Sequence, residues 1–446
     1  MPDFRRRASG GTRPGEIGND LTGWLWHRMG RMQATDEVNG DGWTRQRRKA
    51  LGATALLVIA ACALLAAHPQ SRQRPRFPRA FPEVGITLID EWTADVDLSA
   101  DGRRLAYARR DPRDWYFDLQ VTRPSGREQE CVACELPEPS KHRGSPNWHP
   151  SGEFIAFSAE NSDVRTRRAD RLAEPGTALN TNLWVMTTDG TRAWQLTEYA
   201  TDYKEPRGVL APTFSPDGKR LAWTGPVNRA AAGRGFEWGE WAIFLADFDV
   251  EAGVPVLRDV RTVQPGQQHS FYQVDDWSSD GSRLLLSANP RAGQGVAALD
   301  ICRYNLASGS LHRLTQTADW DHHAHYSADG REIIWASTRD LGVKFRSVEG
   351  LNWRRDIKTD LWAMNAADGS AVRRLTSFNT RGHRDHTWFR SRVFAASRVF
   401  LGDNVPLLDG TRIVAVLGYE ATGGQINGAL AVIDLAARQV AETPAR

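Results

Sequence analysis

Histidines concentrate in two short stretches of the chain, and this arrangement resembles a metal site. The stretches are DHHAHYSADG (321–330), with His322, His323 and His325, and RGHRDH (381–386), with His383 and His386. Imidazoles that converge from different segments bind divalent metals. His323 and His325 would share one face of an extended strand, and His322 would point the other way. One interpretation is a divalent-metal site formed by His323, His325, His383 and His386.

The alternative interpretation gives these histidines no metal. They would then be ordinary polar side chains that line a water-filled channel. The neighbouring carboxylates Asp321 and Asp385 fit both interpretations, because they would either accept hydrogen bonds from the rings or pair with Arg384. Either way, the predicted binding site comprises the five histidines together with Asp321, Arg384 and Asp385.

A second candidate surface is the segment TRDLGVKFRSVEGLNWRRDIKT (338–359), which mixes aromatic and basic residues. Arginine and aromatic side chains combine a large contact area with bidentate hydrogen bonding, as recognition surfaces require. The residues that would act here are Phe345, Arg346, Trp353, Arg354 and Arg355. The alternative is a solvated loop whose aromatic residues pack onto its own structural unit.

The sequence CVAC places Cys131 and Cys134 three residues apart. In an oxidising compartment this spacing favours a small-loop disulfide, with a redox motif or half of a metal site as the alternatives. Cys302 lies in the apolar strand LDICRYN and is interpreted as a buried free thiol.

Signatures of catalysis are missing from the sequence. It contains no GxSxG nucleophile elbow and no HExxH motif, and its one Gly-Lys pair has no phosphate-binding loop before it. Residues 1–80 hold 14 Lys and Arg against 6 Asp and Glu, which leaves 43 against 48 for residues 81–446. A mildly acidic globular part argues against nucleic-acid binding. We therefore expect a binding protein without a catalytic apparatus.

A repeated unit explains how these residues are positioned. The unit is an aromatic or apolar residue, then Ser (His in one copy), any residue, Asp (Ser in one copy) and Gly, and then an apolar strand. Its copies are LSADGRRLAYA (98–108), WHPSGEFIAFS (148–158), FSPDGKRLAWT (214–224), WSSDGSRLLLS (277–287), YSADGREIIWA (326–336) and the weaker LLDGTRIVAVL (407–417). The intervals between the repeat glycines, 49 to 80 residues, suit a four-stranded blade with insertions.

A second hairpin follows each copy, as in LWVMTTDGTRAWQLT (183–197) and, more faintly, ALAVIDLAARQVAET (429–443). Two hairpins in each of six units predict an all-β, six-bladed β-propeller over residues 84–446. The short Asp-Gly turns share one face of the disc. The long insertions and the links between blades share the other face, which is therefore the expected working face.

The phrases SPDGKRLAW and LWVMTTDGTRAWQLT resemble the WD40-like repeats of the TolB propeller family over about residues 90–443. The resemblance implies a propeller fold and a location in the bacterial envelope. The α/β domain of TolB has no counterpart in residues 1–80. Oligogalacturonate lyases are also propellers and are similar in binding a metal through histidines at the mouth.

The N-terminal part is predicted to be a membrane anchor. A basic leader (1–49) ends in RQRRK, an uncharged segment of eighteen residues follows (50–67), and a Pro-rich linker covers 68–83. By the positive-inside rule, the leader stays in the cytoplasm and the propeller is exported. We favour an uncleaved anchor. A lipoprotein modified at Cys62 and cleavage after Ala67 are the alternatives, and both also export the propeller.

These observations predict an inner-membrane protein whose periplasmic propeller binds or scaffolds a protein or peptide partner of the cell envelope, without a cofactor. The alternative function is a metal-dependent polysaccharide lyase, or a carbohydrate binder, that uses the histidine cluster and one divalent metal ion.

Overall fold

The computed structural model describes residues 77–136, 141–164, 173–177, 179–228, 238–266, 270–394, 396, 398–420 and 426–442. The predicted leader 1–49, the apolar segment 50–67 with Cys62, and residues 68–76 of the predicted linker lie outside these ranges. Among the described residues, no helix is long and apolar enough to cross a membrane. The described strands form six sheets, which confirms the predicted all-β, six-bladed propeller.

Each sheet is a blade whose first strand contacts the first strands of its two neighbours around the axis. The inner strands are β3 (Thr93–Leu98), β7 (Arg143–Trp148), β11 (Leu210–Phe214), β15 (Tyr272–Trp277), β19 (Asp321–Tyr326) and β23 (Val399–Pro406). The second strands are β4 (Leu105–Arg110), β8 (Phe154–Glu160), β12 (Arg220–Asn228), β16 (Arg283–Ala288), β20 (Glu332–Ser337) and β24 (Arg412–Glu420).

The outer half of each blade completes the sheet. The third strands are β5 (Phe117–Thr122), β9 (Thr181–Thr187), β13 (Glu240–Glu251), β17 (Asp300–Asn305), β21 (Asp360–Asn365) and β25 (Ile426–Asp434). The outermost strands are β6 (Glu130–Cys131), β10 (Ala193–Gln195), β14 (Val254–Val263), β18 (Leu311–Arg313), β22 (Arg373–Arg374) and β2 (Ile86–Glu91), and β1 (Arg79–Phe81) adds a fifth strand to the last blade.

Helical structure in the described residues is confined to short segments between or after strands. These are α1 (Arg384–Trp388), α2 (Leu435–Glu442), the 3-10 turns Pro82–Val84 and Asn352–Arg355, and a π-turn at Phe389–Val393.

The repeated Ser-x-Asp-Gly unit builds the turn between the first and second strands. In the third blade, Ser215 Oγ donates to Asp217 Oδ1 at 2.5 Å, and the same carboxylate oxygen accepts from the backbone N–H of Lys219 at 3.1 Å. Gly218 follows with a φ of 71°, a value that favours glycine. The turn is therefore fixed by local chemistry, which is why the sequence alone predicts the number of blades.

The second strand of each blade supplies much of the core. The fifth residue after the repeat glycine is aromatic in four blades, and each of these side chains is at most 1% exposed: Tyr107, Phe157, Trp223 and Trp335. Clusters of buried apolar residues connect neighbouring blades through these strands. Such contacts are worth about 1.5–3 kcal/mol for each fully buried large side chain.

The last blade departs from the sequence prediction. Residues 429–443 do not form a hairpin, because β25 continues into α2. The outermost strand comes instead from the other end of the chain: β2 pairs with β25 in antiparallel register, with Ile86 opposite Ile433 and Glu91 opposite Ala429. The folded part also begins earlier than the predicted Val84, since β1 lies within the segment interpreted as a linker.

The closure of the ring can be tested at Leu88, which lies in β2 and is 1% exposed. Truncation of a buried leucine removes apolar contacts and leaves a cavity, so Leu88→Ala should lower the free energy of unfolding by about 2–5 kcal/mol in urea titrations.

The matched control is Leu408→Ala, because Leu408 is 55% exposed. We expect a change within about 0.5 kcal/mol for this variant. Equal losses for the two variants would contradict the importance of β2 for the ring.

Candidate functional site

An irregularity shared by all six inner strands shapes the centre of the ring. Each inner strand shifts register against its second strand, for example between Ala94 and Val96 and between His322 and His325. In four of them a residue other than glycine has a positive φ, between 39° and 53°: Asp95, Ser145, Ala211 and His323. A β-bulge bends the strand and changes the direction of side chains, and here it turns polar residues towards the axis.

These bulges surround a cavity of about 260 Å³ at the mouth of the propeller. Its aromatic wall is made of Trp92, Trp238, Trp241, Phe271, Trp320, Trp353 and Phe400. Its polar lining includes Asp95, Asp97, Asp275, Asp403, His322, His323 and His325. A cavity of about 150 Å³ holds one benzene molecule, so this larger cavity has room for a side chain or two.

The insertion of the fifth blade, residues 338–359, forms part of this cavity. Trp353 packs against Trp320 with ring centroids 5.2 Å apart, and Trp238 Nε1 of the third blade donates to the Val348 carbonyl at 2.7 Å. Arg354 Nη1 lies 3.2 Å from Glu174 Oε2, which belongs to the insertion of the second blade. Because blades two and five are opposite each other in a ring of six, this insertion reaches across the mouth.

A residue of the first blade joins the same ion-pair cluster. Arg110, at the end of β4, lies 3.0 Å from the other oxygen of Glu174. All three side chains line the cavity, and Glu174 is largely buried. Glu174 thus holds two guanidinium groups at the rim, one on each side of it.

His325 is the positively charged group among the inner-strand carboxylates. Its Nε2 lies 3.3 Å from Asp403 Oδ1 and its Nδ1 lies 3.8 Å from Asp276 Oδ2. Burial lowers the pKa of His325, but the hydrogen bond to Asp403 and the charge of Asp276 outweigh burial and raise it to about 9. The charge of His325 in turn keeps the pKa of Asp403 below its usual value despite burial.

The other two histidines of the stretch are neutral. Burial lowers the pKa of His323 to about 4 and that of His322 well below its ordinary value. The prediction that His322 points away from its neighbours is wrong: the bulge breaks the strand alternation, and the His322 and His323 rings lie 4.0 Å apart beside the same cavity. His322 Nε2 is buried without a hydrogen-bond partner among the described residues.

Three more carboxylates face the cavity, and burial raises the pKa of each. Burial, aided by the charge of Asp403, raises the pKa of Asp95 to about 6. Burial also raises the pKa of Asp97 and that of Asp275 to about 7. Each is held by hydrogen bonds, as when Asp95 Oδ2 accepts from Ser145 N and Oγ at 3.0 and 2.9 Å. The lining is therefore acidic overall and holds one imidazolium.

The second histidine stretch does not join this site. His383 caps the N-terminus of α1, where its Nδ1 accepts from the backbone N–H of Asp385, and neither His383 nor His386 lines the cavity. Asp385 is fully buried and forms an ion pair with Arg438, while Arg384 Nη2 donates to the Arg438 carbonyl at 2.8 Å. The link after blade five thus fastens α2 to the ring, and the predicted four-histidine metal site is not assembled.

Asp321 is also not an acceptor for the histidines. Its Oδ1 accepts from Trp335 Nε1 at 2.9 Å within its own blade, and burial raises its pKa to about 6. Among the described residues, no group of three or more His, Cys, Asp or Glu side chains is placed to hold a metal ion.

The remaining predicted residues divide between the cavity and the surface. Phe345 packs on Trp320 at 5.2 Å, whereas Arg346 pairs with Asp356 on the surface and Arg355 is exposed. The aromatic residues therefore pack partly on their own blade, as the alternative interpretation predicted. Cys131 and Cys134 form a disulfide with a Cα–Cα distance of 5.7 Å, and Cys302 is a buried thiol.

Sequence reasoning missed most of the acidic residues. Asp95, Asp97, Asp275 and Asp403 precede the repeat turn by the same few residues as His322–His325 do. Since corresponding repeat positions converge on the axis, alignment of the six copies would have found them. Glu174 and Trp238 lie in insertions that do not repeat, so no such signal exists for them.

Comparison with known proteins adds a likeness in fold. No protein-family model and no curated protein matches the chain. Among solved structures, TolB from Acinetobacter baumannii is 18% identical with a TM-score of 0.43, over 74% of this chain and 63% of that one. A putative TolB from Agrobacterium tumefaciens is 18% identical with a TM-score of 0.41, over 68% of this chain and 87% of that one.

The chain is similar to TolB propellers in fold. It spans less than two thirds of the Acinetobacter protein. An oligogalacturonate lyase in complex with manganese is 13% identical with a TM-score of 0.45, over 78% of each chain. At these identities the likeness concerns the fold alone, and the site has to be understood from its own residues.

The charge of His325 leads to a prediction about pH. Its pKa is raised from an ordinary value of about 6.5 to about 9, so its contribution to stability is complete below about pH 6.5 and is lost as pH rises through about 9. Between pH 7.5 and 9.5, the free energy of unfolding should fall by about 1–3 kcal/mol from this group. His325→Gln should remove that part of the decline.

His312→Gln is the matched control, because His312 is exposed at the far end of the neighbouring blade in β18. This variant should keep the wild-type pH dependence in urea titrations. An unchanged slope in His325→Gln would show that the pair with Asp403 does not carry the charge assigned to it.

Proposed function

We propose that this propeller is a non-catalytic binding module that takes a segment of a protein partner into the cavity at its mouth. The observation that carries the proposal is the aromatic wall of that cavity, to which several blades and the insertion of the fifth blade contribute. Buried aromatic side chains dominate the energy of protein recognition because they offer a large apolar area at low entropic cost.

The shape of the site favours a segment over a folded surface. A cavity of about 260 Å³ accepts a side chain or two, while the surrounding insertions supply a rim for the backbone on either side. Gln273 and Asn147 line the cavity, and their amide nitrogens donate to Asp275 and Asp97. Apolar walls with a few placed polar groups are typical of such sites. The proposed binding requires no cofactor.

We further propose that the module works in the bacterial envelope, outside the cytoplasm and attached to the inner membrane through residues 50–67. The basic run before the apolar segment supports this orientation. The Cys131–Cys134 disulfide supports an oxidising compartment, because disulfides persist in exported proteins. The surplus of positive charge lies in residues 1–80, so the propeller is not expected to bind nucleic acid.

The alternative function, a metal-dependent polysaccharide lyase or carbohydrate binder, is not favoured by the site. Its ligand set required His383 and His386, which lie at α1 away from the cavity. An acidic polysaccharide would also meet the carboxylates of Asp95, Asp275 and Asp403.

Site-specific photo-crosslinking tests the binding site. A benzoylphenylalanine placed at Leu351, on the cavity rim, should give a discrete crosslinked product in the producing cells. Trp353→Ala in the same protein should remove this product, because Trp353 supplies part of the aromatic wall.

The control places the crosslinker at Arg331, an exposed residue of a repeat turn on the opposite face. Crosslinks from Arg331 but not from Leu351 would move the working surface to the other face and contradict the proposal.

The compartment is tested by topology. An alkaline phosphatase fused after Arg446 should be active in cells, because this enzyme needs an oxidising compartment to form its disulfides. The matched fusion, which lacks residues 45–67, should be inactive. Activity of both fusions, or of neither, would contradict the assigned orientation.

A further inference from the structure

The acidic residues of the cavity are not matched by cations of the chain. Asp95, Asp97, Asp275 and Asp403 all line it, and His325 is shared between Asp403 and Asp276. The two arginines of the lining, Arg110 and Arg354, are held at the rim by Glu174. These four carboxylates form the floor of the cavity, and among the described residues only Asp403 has an ion-pair partner. Burial raises the pKa of the other three, so a bound cation would stabilise their ionised forms.

Thr93 and Asp95 of strand β3 could both accept hydrogen bonds from a ligand in the cavity. Thr93 is 3% exposed and lines the cavity, and its Oγ1 has no hydrogen-bond partner among the described residues. Two residues along, Asp95 uses Oδ2 to accept from Ser145. Buried hydroxyl oxygens without partners are rare in native proteins, because each costs about 1–3 kcal/mol. A ligand that donates hydrogen bonds would satisfy Thr93 and Asp95 together.

The walls show which kind of donor fits. A cation placed over a tryptophan face gains roughly 0.5–2 kcal/mol, and more when water is excluded. Trp92, Trp241 and Trp320 line the same cavity as the carboxylates. A bare metal ion would make no use of these rings, and no group of three metal-ligating side chains is present among the described residues. An organic cation uses both the rings and the carboxylates.

We propose that the cavity recognises a cationic nitrogen, the ammonium or guanidinium group of a basic side chain in the bound segment. Asp95 and Asp275 are its charge partners, Thr93 accepts one of its hydrogen bonds, and the tryptophan wall packs on its alkyl part. This inference rests on the proposed peptide-binding function and gives that function a ligand chemistry.

The inference is tested with three hexapeptides that are acetylated and amidated at their ends. Trp alternates with Arg in the first peptide, with Gln in the second and with Glu in the third. Their aromatic content is equal, so they differ in charge alone. Titration of the purified propeller, followed by calorimetry, should give an affinity for the Arg peptide about tenfold higher than for the Gln peptide, and the weakest binding for the Glu peptide.

Variants of Asp95 and Asp275 test whether these carboxylates cause the preference for the Arg peptide. Asp95→Asn with Asp275→Asn should reduce the preference for Arg over Gln to less than about threefold, since Asn retains an oxygen for Ser145 or Ser287 but carries no charge. The matched control is Asp329→Asn with Asp368→Asn, which removes two exposed carboxylates from turns on the opposite face. This control should keep the full preference. Circular dichroism shows whether each protein folds, and Asp95→Asn alone replaces the double variant if that one unfolds.

The outcomes separate the inference from the function on which it rests. Equal binding of the Arg and Gln peptides at the cavity would overturn the cationic ligand and leave peptide binding intact. Loss of the preference in the control variant would assign it to net charge and also overturn the inference. The inference equally fails if calcium alone binds to the floor and displaces the Arg peptide, or if no peptide binds.

Discussion

The ring depends on hydrogen bonds that pass from the inner strand of one blade to the next. Asp97 Oδ2 accepts from the backbone N–H of Trp148, Asn147 Oδ1 from that of Phe214, and Asp276 Oδ2 from that of Tyr326. Trp277 Nε1 donates to the Thr213 carbonyl, His325 meets Asp403, and Asp403 Oδ2 accepts from the backbone N–H of Val96. Every junction between blades thus has a polar contact between inner strands.

The candidate site follows from the same contacts. Several of the side chains that fasten one inner strand to the next are short and polar, and three of them are Asp97, Asp276 and Asp403. The concentration of carboxylates at the cavity is costly, because buried carboxylates resist ionisation, as the raised pKa values of Asp95, Asp97 and Asp275 show. His325 relieves this cost most directly at Asp403 and Asp276, and its charge also opposes the rise in the pKa of Asp97 and Asp275. The inner-strand aspartates therefore serve both the contacts between blades and the proposed recognition of a ligand.

The sequence predicts those features of the fold that are made by residues close together in the chain. The repeat turn is made by residues within five positions of each other, so five plain copies and a weaker sixth predict six blades. The pairing of β2 with β25 joins residues more than 300 positions apart, and no local sequence pattern predicts it. The same limit applies to Glu174, which meets Arg354 from a distant insertion. The prediction for His383 and His386 failed because a short helix, fastened by Asp385 and Arg438, lies where an extended link was expected.

The position of β2 has a mechanical meaning. Force applied through the N-terminal side of the chain enters the folded part at β1 and β2, on the outer edge of the last blade. The hydrogen bonds between β2 and β25 run antiparallel over Ile86–Glu91 and lie between that force and the rest of the disc. A pull directed along the strand would load these bonds together in shear, whereas a pull outward from the disc would peel them one at a time. The direction of an applied pull would thus decide how much tension the ring withstands before it opens.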